Sequence, residues 1–185
     1  MALVTVVSGQ AAGATLDKEH VQRINQATFE VVVKKAPEAD ITYEKPLPMD
    51  LLPYSVRTDD YYSIGTAFAI NAHELISAAP VFGLEDASLF GPVRIRDGDG
   101  NVFGVDKIVK YSNRRDFVVF TVKDRTFDTA LEVNTDPELN AEVFAVGNAL
   151  GQGIVIRSGS YTSSTPEQLK GEWDWIRFSA AASPG

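Results

Sequence analysis

Three short blocks of the chain contain residue types that proton transfer and nucleophilic attack require. They are Leu75-Ile-Ser-Ala-Ala-Pro-Val-Phe82, Arg115-Asp-Phe-Val-Val-Phe-Thr-Val122 and Ser179-Ala-Ala-Ala-Ser-Pro-Gly185. Asp116 stands at the start of a hydrophobic run, where a partly buried carboxylate is costly unless another group pairs with it. Taken alone, Asp116 equally fits a turn residue bonded to backbone amides. A hydroxyl nucleophile, an imidazole base and a buried carboxylate together would transfer an acyl group.

In order and spacing, the three blocks resemble the His, Asp and Ser motifs of the chymotrypsin-like serine endopeptidases, most of all the bacterial HtrA-like branch. The resemblance covers about residues 28 to 185, and Asp116 falls on the family's catalytic Asp position. It implies an all-β, chymotrypsin-like double β-barrel with the active site in the cleft between the barrels. It also implies acyl transfer from a peptide bond to serine and then to water, without metal or cofactor.

Pro80 occupies the position at which the family has its catalytic His, and a proline cannot accept a proton. The chain has two histidines, and neither replaces that residue. His73 lies seven residues upstream, roughly 20 Å away along an extended segment, and is predicted at a solvated hairpin tip. His20 belongs to an N-terminal helix, where a surface histidine is ordinary.

The resemblance assigns two roles to the third block. The residues predicted to border the pocket for the substrate side chain before the scissile bond are Ser179, Ala180, Ala181 and Ala182. The residues predicted to lie in the oxyanion loop are Ser183, Pro184 and Gly185. The family pattern puts the nucleophilic serine two residues beyond Gly185, so Ser183 is not predicted to be the nucleophile. The alanines predict a preference for small or apolar side chains.

We therefore predict a trypsin-like serine peptidase domain that is inactive as given, because Pro80 replaces its base and the nucleophilic serine is absent beyond Gly185. The alternative is a pseudo-protease, a peptide- or protein-binding module that keeps the cleft without the chemistry. The predicted partner is a peptide or an unfolded protein. A second barrel that ends at Gly185 would leave strand edges unpaired, which predicts self-association or a missing C-terminal segment. The resemblance favours a periplasmic or secreted location and leaves a cytoplasmic one open.

The amino-acid composition limits the classes of function that this chain can have. The chain has 185 residues, of which 44% are hydrophobic and 23% charged, as in ordinary globular proteins. Its net charge of -8 argues against binding to nucleic acid or to an anionic membrane surface. No stretch approaches the ~18 apolar residues that span a bilayer. The chain has no cysteine, which excludes disulfides and a thiolate nucleophile.

The chain divides into three predicted segments. Residues 1–27 form an N-terminal extension with a short helix, for which Thr15 is the expected N-cap. The short strands that follow favour a β-barrel or a sandwich over an α/β fold. The resemblance implies that residues 28–125 form the first β-barrel and that residues 126–185 form an incomplete second β-barrel. Within the extension, residues 1–14 are expected to be a trimmed leader, a cloning remnant or a flexible N-terminus, with the last two favoured. The predicted strands cover residues 28–34, 63–70, 74–78, 93–96, 101–105, 107–111, 117–122, 142–147, 154–159 and 173–178.

Three further patterns are interpreted structurally. Asp97-Gly-Asp-Gly-Asn101 begins like a calcium loop but lacks the acidic twelfth residue, so a hairpin turn is favoured. Gly147-Asn-Ala-Leu-Gly-Gln-Gly153 lacks the residues of a phosphate-binding loop and is predicted to be a turn between two strands. Trp173 and Trp175 share one side of a strand, and core packing is favoured over carbohydrate stacking.

Overall fold

The computed structural model describes residues 3–6, 16–35, 45, 48–83, 91–148 and 153–182. The helices are α1 (Lys18–Ala27) and α2 (Tyr54–Thr58), and 3₁₀ turns span Met49–Leu51 and Ala79–Phe82. The strands are β1 (Leu3–Val6), β2 (Thr28–Lys34), β3 (Tyr61–Ala69), β4 (Glu74–Ser77), β5 (Arg94–Arg96), β6 (Val102–Ser112), β7 (Phe117–Val122), β8 (Glu142–Gly147), β9 (Val155–Pro166) and β10 (Asp174–Phe178).

Six of the strands close into a barrel in the order β2-β3-β4-β7-β6-β5, and β2 pairs with β5 to complete the ring. The strand β7 shows why the barrel forms, because Val118, Phe120 and Val122 alternate into the interior. Phe120 and Leu75 are fully buried there. Each large apolar side chain removed from water in this way stabilises the fold by about 1.5–3 kcal/mol.

The strand β6 corrects one prediction. The segments 101–105 and 107–111 were expected to be two strands, but they form the single strand β6. Its pairing with β7 shifts register between Val105 and Lys107 and again between Ile108 and Lys110. A bulge of this kind adds a residue and bends a strand without ending it, and the sequence pattern cannot distinguish it from a break.

The turn between β5 and β6 confirms the hairpin prediction. The Asp97 carboxylate accepts hydrogen bonds from the backbone amides of Asp99 and Asn101, at 3.1 and 2.9 Å. It also forms an ion pair with Arg125 at 3.1 Å. The carboxylate therefore stabilises the turn. Among the described residues, no group of three or more acidic or His side chains could hold a metal ion.

The remaining strands form an open sheet in the order β1-β8-β9-β10. The strand β1 was not predicted, since residues 1–14 were expected to be a remnant or a flexible end. Instead, Leu3 pairs with Val146 and Val6 pairs with Val143 on β8. The run Leu-Val-Thr-Val is rich in β-branched residues, and β8 offers it a free edge. The N-terminal extension thus contributes a strand to the second sheet.

The helix α1 begins two residues later than expected. Its N-cap is Asp17, whose carboxylate accepts a hydrogen bond from the His20 amide at 2.8 Å, while Thr15 lies outside the described residues. Aspartate is a strong N-cap because it satisfies an amide that has no partner within the helix. Ile24 and Ala27 pack the helix against the barrel. No helix among the described residues is long and apolar enough to cross a membrane.

The tryptophans contradict the core-packing prediction. Trp175 is 49% exposed, and Trp173 is only partly buried. Their rings contact each other edge to face, with centroids 4.6 Å apart. The reason is that β10 lies at the edge of the open sheet, with four of its five residues exposed. Alternation along a strand predicts which residues share a face, but not whether that face is covered.

Gly65 on β3 is required for the Ala79–Phe82 turn to pack against the barrel. A Cβ atom at position 65 would lie 2.7 Å from both methyl groups of Val81. We expect Gly65→Ala to lower the free energy of unfolding by about 1–3 kcal/mol through overpacking. The double variant with Val81→Ala should recover most of this loss, because the clashing methyls are gone. Urea unfolding measures both values.

Gly104→Ala on β6 is the matched control, because nothing lies within 4 Å of its added Cβ. Its effect should stay within about 0.5 kcal/mol. If Gly65→Ala lowers the free energy of unfolding by the same amount with and without Val81→Ala, the contact between these two residues does not hold the turn.

Candidate functional site

The candidate site begins at the 3₁₀ turn Ala79–Phe82, which follows β4. Pro80 stands in the first turn, where its missing N–H costs little because the first amides of a helix have no partner in it. Gly83 ends the turn at a φ of 54°. Pro80 itself is exposed, whereas Ala79 is buried. The proline ring therefore faces solvent at the position where the sequence predicts a missing imidazole.

Asp116 is the last residue of the turn between β6 and β7. Its φ of 54° lies in the left-handed region, which non-glycine residues rarely adopt. Its carboxylate accepts a hydrogen bond from the Ala79 amide at 3.2 Å. The pairing of Ser77 with Val118 explains this contact, since the two chains continue side by side into both turns. The structure thus brings Asp116 within one residue of Pro80.

Neither of the two histidines lies at this site. His73 is exposed at the tip between β3 and β4, which is the other end of β4, roughly 20 Å from Ala79 at the rise of an extended chain. His20 is on α1, and its Nδ1 lies 2.8 Å from the Asp17 carboxylate. Both positions agree with the sequence analysis.

The third block follows β10 and turns back across β9. The Ser179 amide donates to the Ser160 carbonyl at 3.0 Å, and the Ser160 amide donates to the Ser179 Oγ at 2.9 Å. Ala180 is buried against Gly159, where an added Cβ would clash with the Ala180 backbone. Ala181 and Ala182 are exposed. Ser183, Pro184 and Gly185, which the resemblance predicts in an oxyanion loop, lie outside the described residues.

The turn that contains Asp116 is fastened to the second sheet by Arg114. The Arg114 guanidinium hydrogen-bonds the Glu167 carboxylate and lies 3.6 Å from Glu172, in the loop between β9 and β10. Glu167 also accepts hydrogen bonds from the amides of Leu169 and Gly171, each at 3.0 Å. Its side chain is only 4% exposed. This contact joins the Asp116 turn to the hairpin that leads into Ser179.

These neighbouring groups stabilise the charged form of the Glu167 carboxylate. Burial alone would raise the pKa of its carboxyl group. The Leu169 amide, the Arg114 guanidinium and the Lys170 amide outweigh burial and lower the pKa to about 2 from its usual 4.5. Arg114 and Glu167 therefore remain an ion pair at any pH at which the protein would normally function.

Asn148 connects the barrel to the second sheet and was not identified as a site residue from sequence. It is 1% exposed, and its amide donates to the Thr66 Oγ1 at 2.8 Å. Its side-chain Nδ2 donates to Glu30 at 2.6 Å and to Ser63 at 2.7 Å, and its Oδ1 accepts from the Gly153 amide at 2.7 Å. Residues 149–152 lie outside the described residues, but β8 and β9 on either side of them pair, as the turn prediction requires.

Glu30 extends the Asn148 network across the outside of the barrel. Its second oxygen accepts from the Arg96 Nε at 2.5 Å, and the Arg96 Nη1 donates to Asp59 at 2.6 Å. Burial opposes the charge of Asp59, but the hydrogen bond from Arg96 lowers its pKa overall. The one sequence signal for this network was an acidic residue inside the apolar run of β2.

The geometry defines an all-β protein of the chymotrypsin-like double-barrel class, and comparison with a solved structure supports this. The HtrA-type protease AlgW, solved with a decapeptide, matches with a TM-score of 0.64 at 18% identity. The match covers 89% of this chain and 51% of the AlgW chain, so this chain spans about half of that structure. At this level of identity, the similarity establishes the fold and not the activity.

Comparisons of the sequence show less about this chain than the structural comparison does. No family model matches the chain. The anti-sigma-I factor RsgI9 of Acetivibrio thermocellus is 32% identical over 93 residues. That match covers 49% of this chain and 13% of RsgI9. About half of this chain therefore resembles a small part of that longer protein.

The Glu167 carboxylate generates a prediction on pH dependence. Its pKa is depressed in the folded state, so its stabilising effect is present above the unfolded value of about 4.5 and is lost as the pH falls towards 2. The melting temperature of the original protein should exceed that of Glu167→Gln at neutral pH. The difference should shrink steadily as the pH is lowered through this window. Thermal unfolding at a series of pH values measures it.

Glu172→Gln is the matched control, since Glu172 contacts the same Arg114 but is 49% exposed. An exposed pair of this kind contributes little, so this variant should follow the original protein throughout. A difference for Glu167→Gln that stays constant from neutral pH to pH about 2 would contradict the assignment.

Proposed function

We propose that this domain is a pseudo-protease, a binding module for peptides or unfolded proteins that does not hydrolyse them. The observation that carries the proposal is the contact between Asp116 and the Ala79 amide, with Pro80 as the next residue. In an active triad, an imidazole beside the carboxylate would take the proton of the nucleophile. Proline has no group that can do this. Loss of the base from such a triad lowers kcat by about 10⁶.

Two similarities support a binding role. AlgW was solved with a decapeptide, and its fold is shared by 89% of this chain. RsgI9 is named as an anti-sigma factor and not as a peptidase. On this proposal the bound segment lies between the Asp116 turn and the exposed residues Ala181 and Ala182, and its side chains are small or apolar.

The second candidate is a serine peptidase domain that differs from an active one at the base position. The left-handed Asp116 and its bond to Ala79 favour this alternative, because they set a carboxylate where a restored imidazole could meet it. The two candidates share the fold and the predicted site residues. They differ in whether the site with Pro80 serves peptide binding or is an inactivated form of a hydrolytic site.

Two measurements, one of serine reactivity and one of peptide binding, test the proposal together. A fluorophosphonate probe should label the folded protein no faster than the heat-denatured protein, because no base activates a serine. An alanine-rich decapeptide should nevertheless shift the backbone NMR signals of Ala79, Asp116 and Ala181. Ala181→Arg should weaken that binding, whereas Thr135→Arg, an exposed change in the linker before β8, should not.

Rapid labelling of the folded protein would contradict the absence of hydrolysis. Peptide binding that is unaffected by Ala181→Arg, or no binding at all, would contradict the binding module. Because the two readouts are independent, failure of one leaves the other interpretable.

Restoring the imidazole tests the assignment of Asp116. In Pro80→His, the new side chain should lie beside the Asp116 carboxylate, which favours the imidazolium form. Its pKa should therefore exceed the usual value of about 6.5. Adding Asp116→Asn should bring this pKa down again. NMR titration of the His ring protons measures both.

The exposed His73 in the same samples is the internal control, and its ring-proton signals should be the same with and without Asp116→Asn. If the pKa of the new histidine is indifferent to Asp116→Asn, the two residues do not form the carboxylate–imidazole pair of a triad. The pseudo-protease proposal would then lose its main support.

A further inference from the structure

The chain that follows β10 crosses the strand β9 at Gly159 and comes closer to it than any other residue type at that position would allow. A Cβ atom at position 159 would overlap the Ala180 amide nitrogen and lie 2.5 Å from the Ala180 Cα. Because both of these atoms are backbone, a side chain at position 159 would force residue 180 away from β9. The close approach buries Ala180, whereas the next two residues, Ala181 and Ala182, are exposed.

The part of β9 that lies under this crossing is paired on its other side. Gly159 pairs with Val143 on β8, and Val143 is buried. Two residues further along, the Tyr161 amide donates to the Ala141 carbonyl at 2.9 Å. A strand that is held by a neighbour in this way opens only when several backbone hydrogen bonds break together. The strand β9 is therefore a fixed support for residues 179–182, which cross it.

Ser179 fastens the crossing residues to this support through its side chain. Its amide donates to the Ser160 carbonyl at 3.0 Å, as in a regular antiparallel pair. The Ser160 amide, however, donates to the Ser179 Oγ at 2.9 Å, where a regular pair would use the Ser179 carbonyl. A side-chain oxygen that takes the place of a carbonyl gives the backbone an alternative to the sheet ladder. The chain can therefore turn across Gly159 while the Ser160 amide keeps a partner.

We propose that Gly159, Ser160 and Ser179 are positioning residues of the peptide-binding site. Their role is to hold the exposed Ala181 and Ala182 in the place where the bound segment lies. This inference rests on the proposed function, because positioning matters only if a segment binds there. A site that is ordered before binding loses less conformational entropy when the ligand arrives. Loss of the fastening should therefore weaken peptide binding even while the domain stays folded.

Two substitutions of Ser179 test the role of its hydroxyl. Ser179→Ala removes the acceptor of the Ser160 amide, and the dissociation constant of an alanine-rich decapeptide should rise about two- to tenfold, the range of a single neutral hydrogen bond. Ser179→Thr keeps the hydroxyl and should restore binding, because residue 179 is exposed and leaves room for the added methyl group. NMR titration of the Ala181 backbone signal with the decapeptide measures each dissociation constant.

Ser164→Ala is the matched control, because it removes a hydroxyl from the same hairpin. The Ser164 Oγ donates to the Asp174 carboxylate at 3.1 Å, away from the crossing at Gly159. This variant should bind the decapeptide as the original protein does. If the hairpin were merely loosened by the loss of a hydrogen bond, Ser164→Ala and Ser179→Ala would weaken binding equally. That result would contradict a positioning role for Ser179.

A glycine substitution tests the close approach separately. Gly159→Ala should weaken decapeptide binding more than Ser179→Ala does, because it displaces residue 180 itself. Gly104→Ala, with nothing within 4 Å of its added Cβ, should leave binding unchanged. Urea unfolding of each variant shows whether it is folded under the conditions of the titration. If Gly159→Ala does not fold, the three serine variants decide the question.

Failure of this inference and failure of the proposed function give different results. If the original protein does not bind the decapeptide, the binding module itself is wrong. If the original protein binds it and Ser179→Ala binds equally well, or Ser179→Thr does not restore binding, the positioning role is wrong and the binding module stands. Hydrogen exchange tests the fastening without any ligand, since the Ser160 amide should exchange faster in Ser179→Ala and return to its original rate in Ser179→Thr. Unchanged exchange in Ser179→Ala would overturn the fastening.

Discussion

The buried side chain of Asn148 is the constraint on which the arrangement of the two sheets depends. A single amide uses its donor and acceptor groups to bind Glu30 and Ser63 on the barrel and Gly153 at the start of its own sheet. Each of these groups would cost about 1–3 kcal/mol if it were buried without a partner. The sheets can therefore slide or separate only if several buried polar groups lose their partners together. Apolar packing alone would tolerate small displacements, whereas this hydrogen-bond pattern fits one geometry.

The Asp116 turn is held in place by contacts with both the barrel and the second sheet. The turn emerges from the barrel, but Arg114 ties it to Glu167 in the second sheet. At the other side, Asp116 holds the Ala79 amide, so the 3₁₀ turn that carries Pro80 moves with it. The sequence blocks of Pro80 and Asp116, which are 36 residues apart, thus lie in contact with each other. The tight contact of Ala180 with Gly159 restrains the third block on the second sheet.

The sequence predicted the parts of this arrangement that depend on local pattern. The runs that form β2, β7 and β8 are β-branched and aromatic, and their predicted bounds match those observed. The strand β1 was missed because its pairing depends on the distant β8. Asn148 was missed for the same reason, since its partner Glu30 is 118 residues away. The exposure of Trp175 depends on whether another segment covers β10. The alternation of residues along a strand carries no information about such cover.

The geometry of Asp116 gives this residue a structural role that does not depend on proton transfer. A non-glycine residue in the left-handed region costs on the order of 1 kcal/mol, and this cost must be offset by the contacts it makes. Here the carboxylate satisfies the Ala79 amide, one of the first amides of the 3₁₀ turn, which have no partner within it. That contact exists without any imidazole. On the proposed assignment, histidine can be exchanged for Pro80 without loss of this contact, because the carboxylate that would orient the base also caps the turn that would carry it.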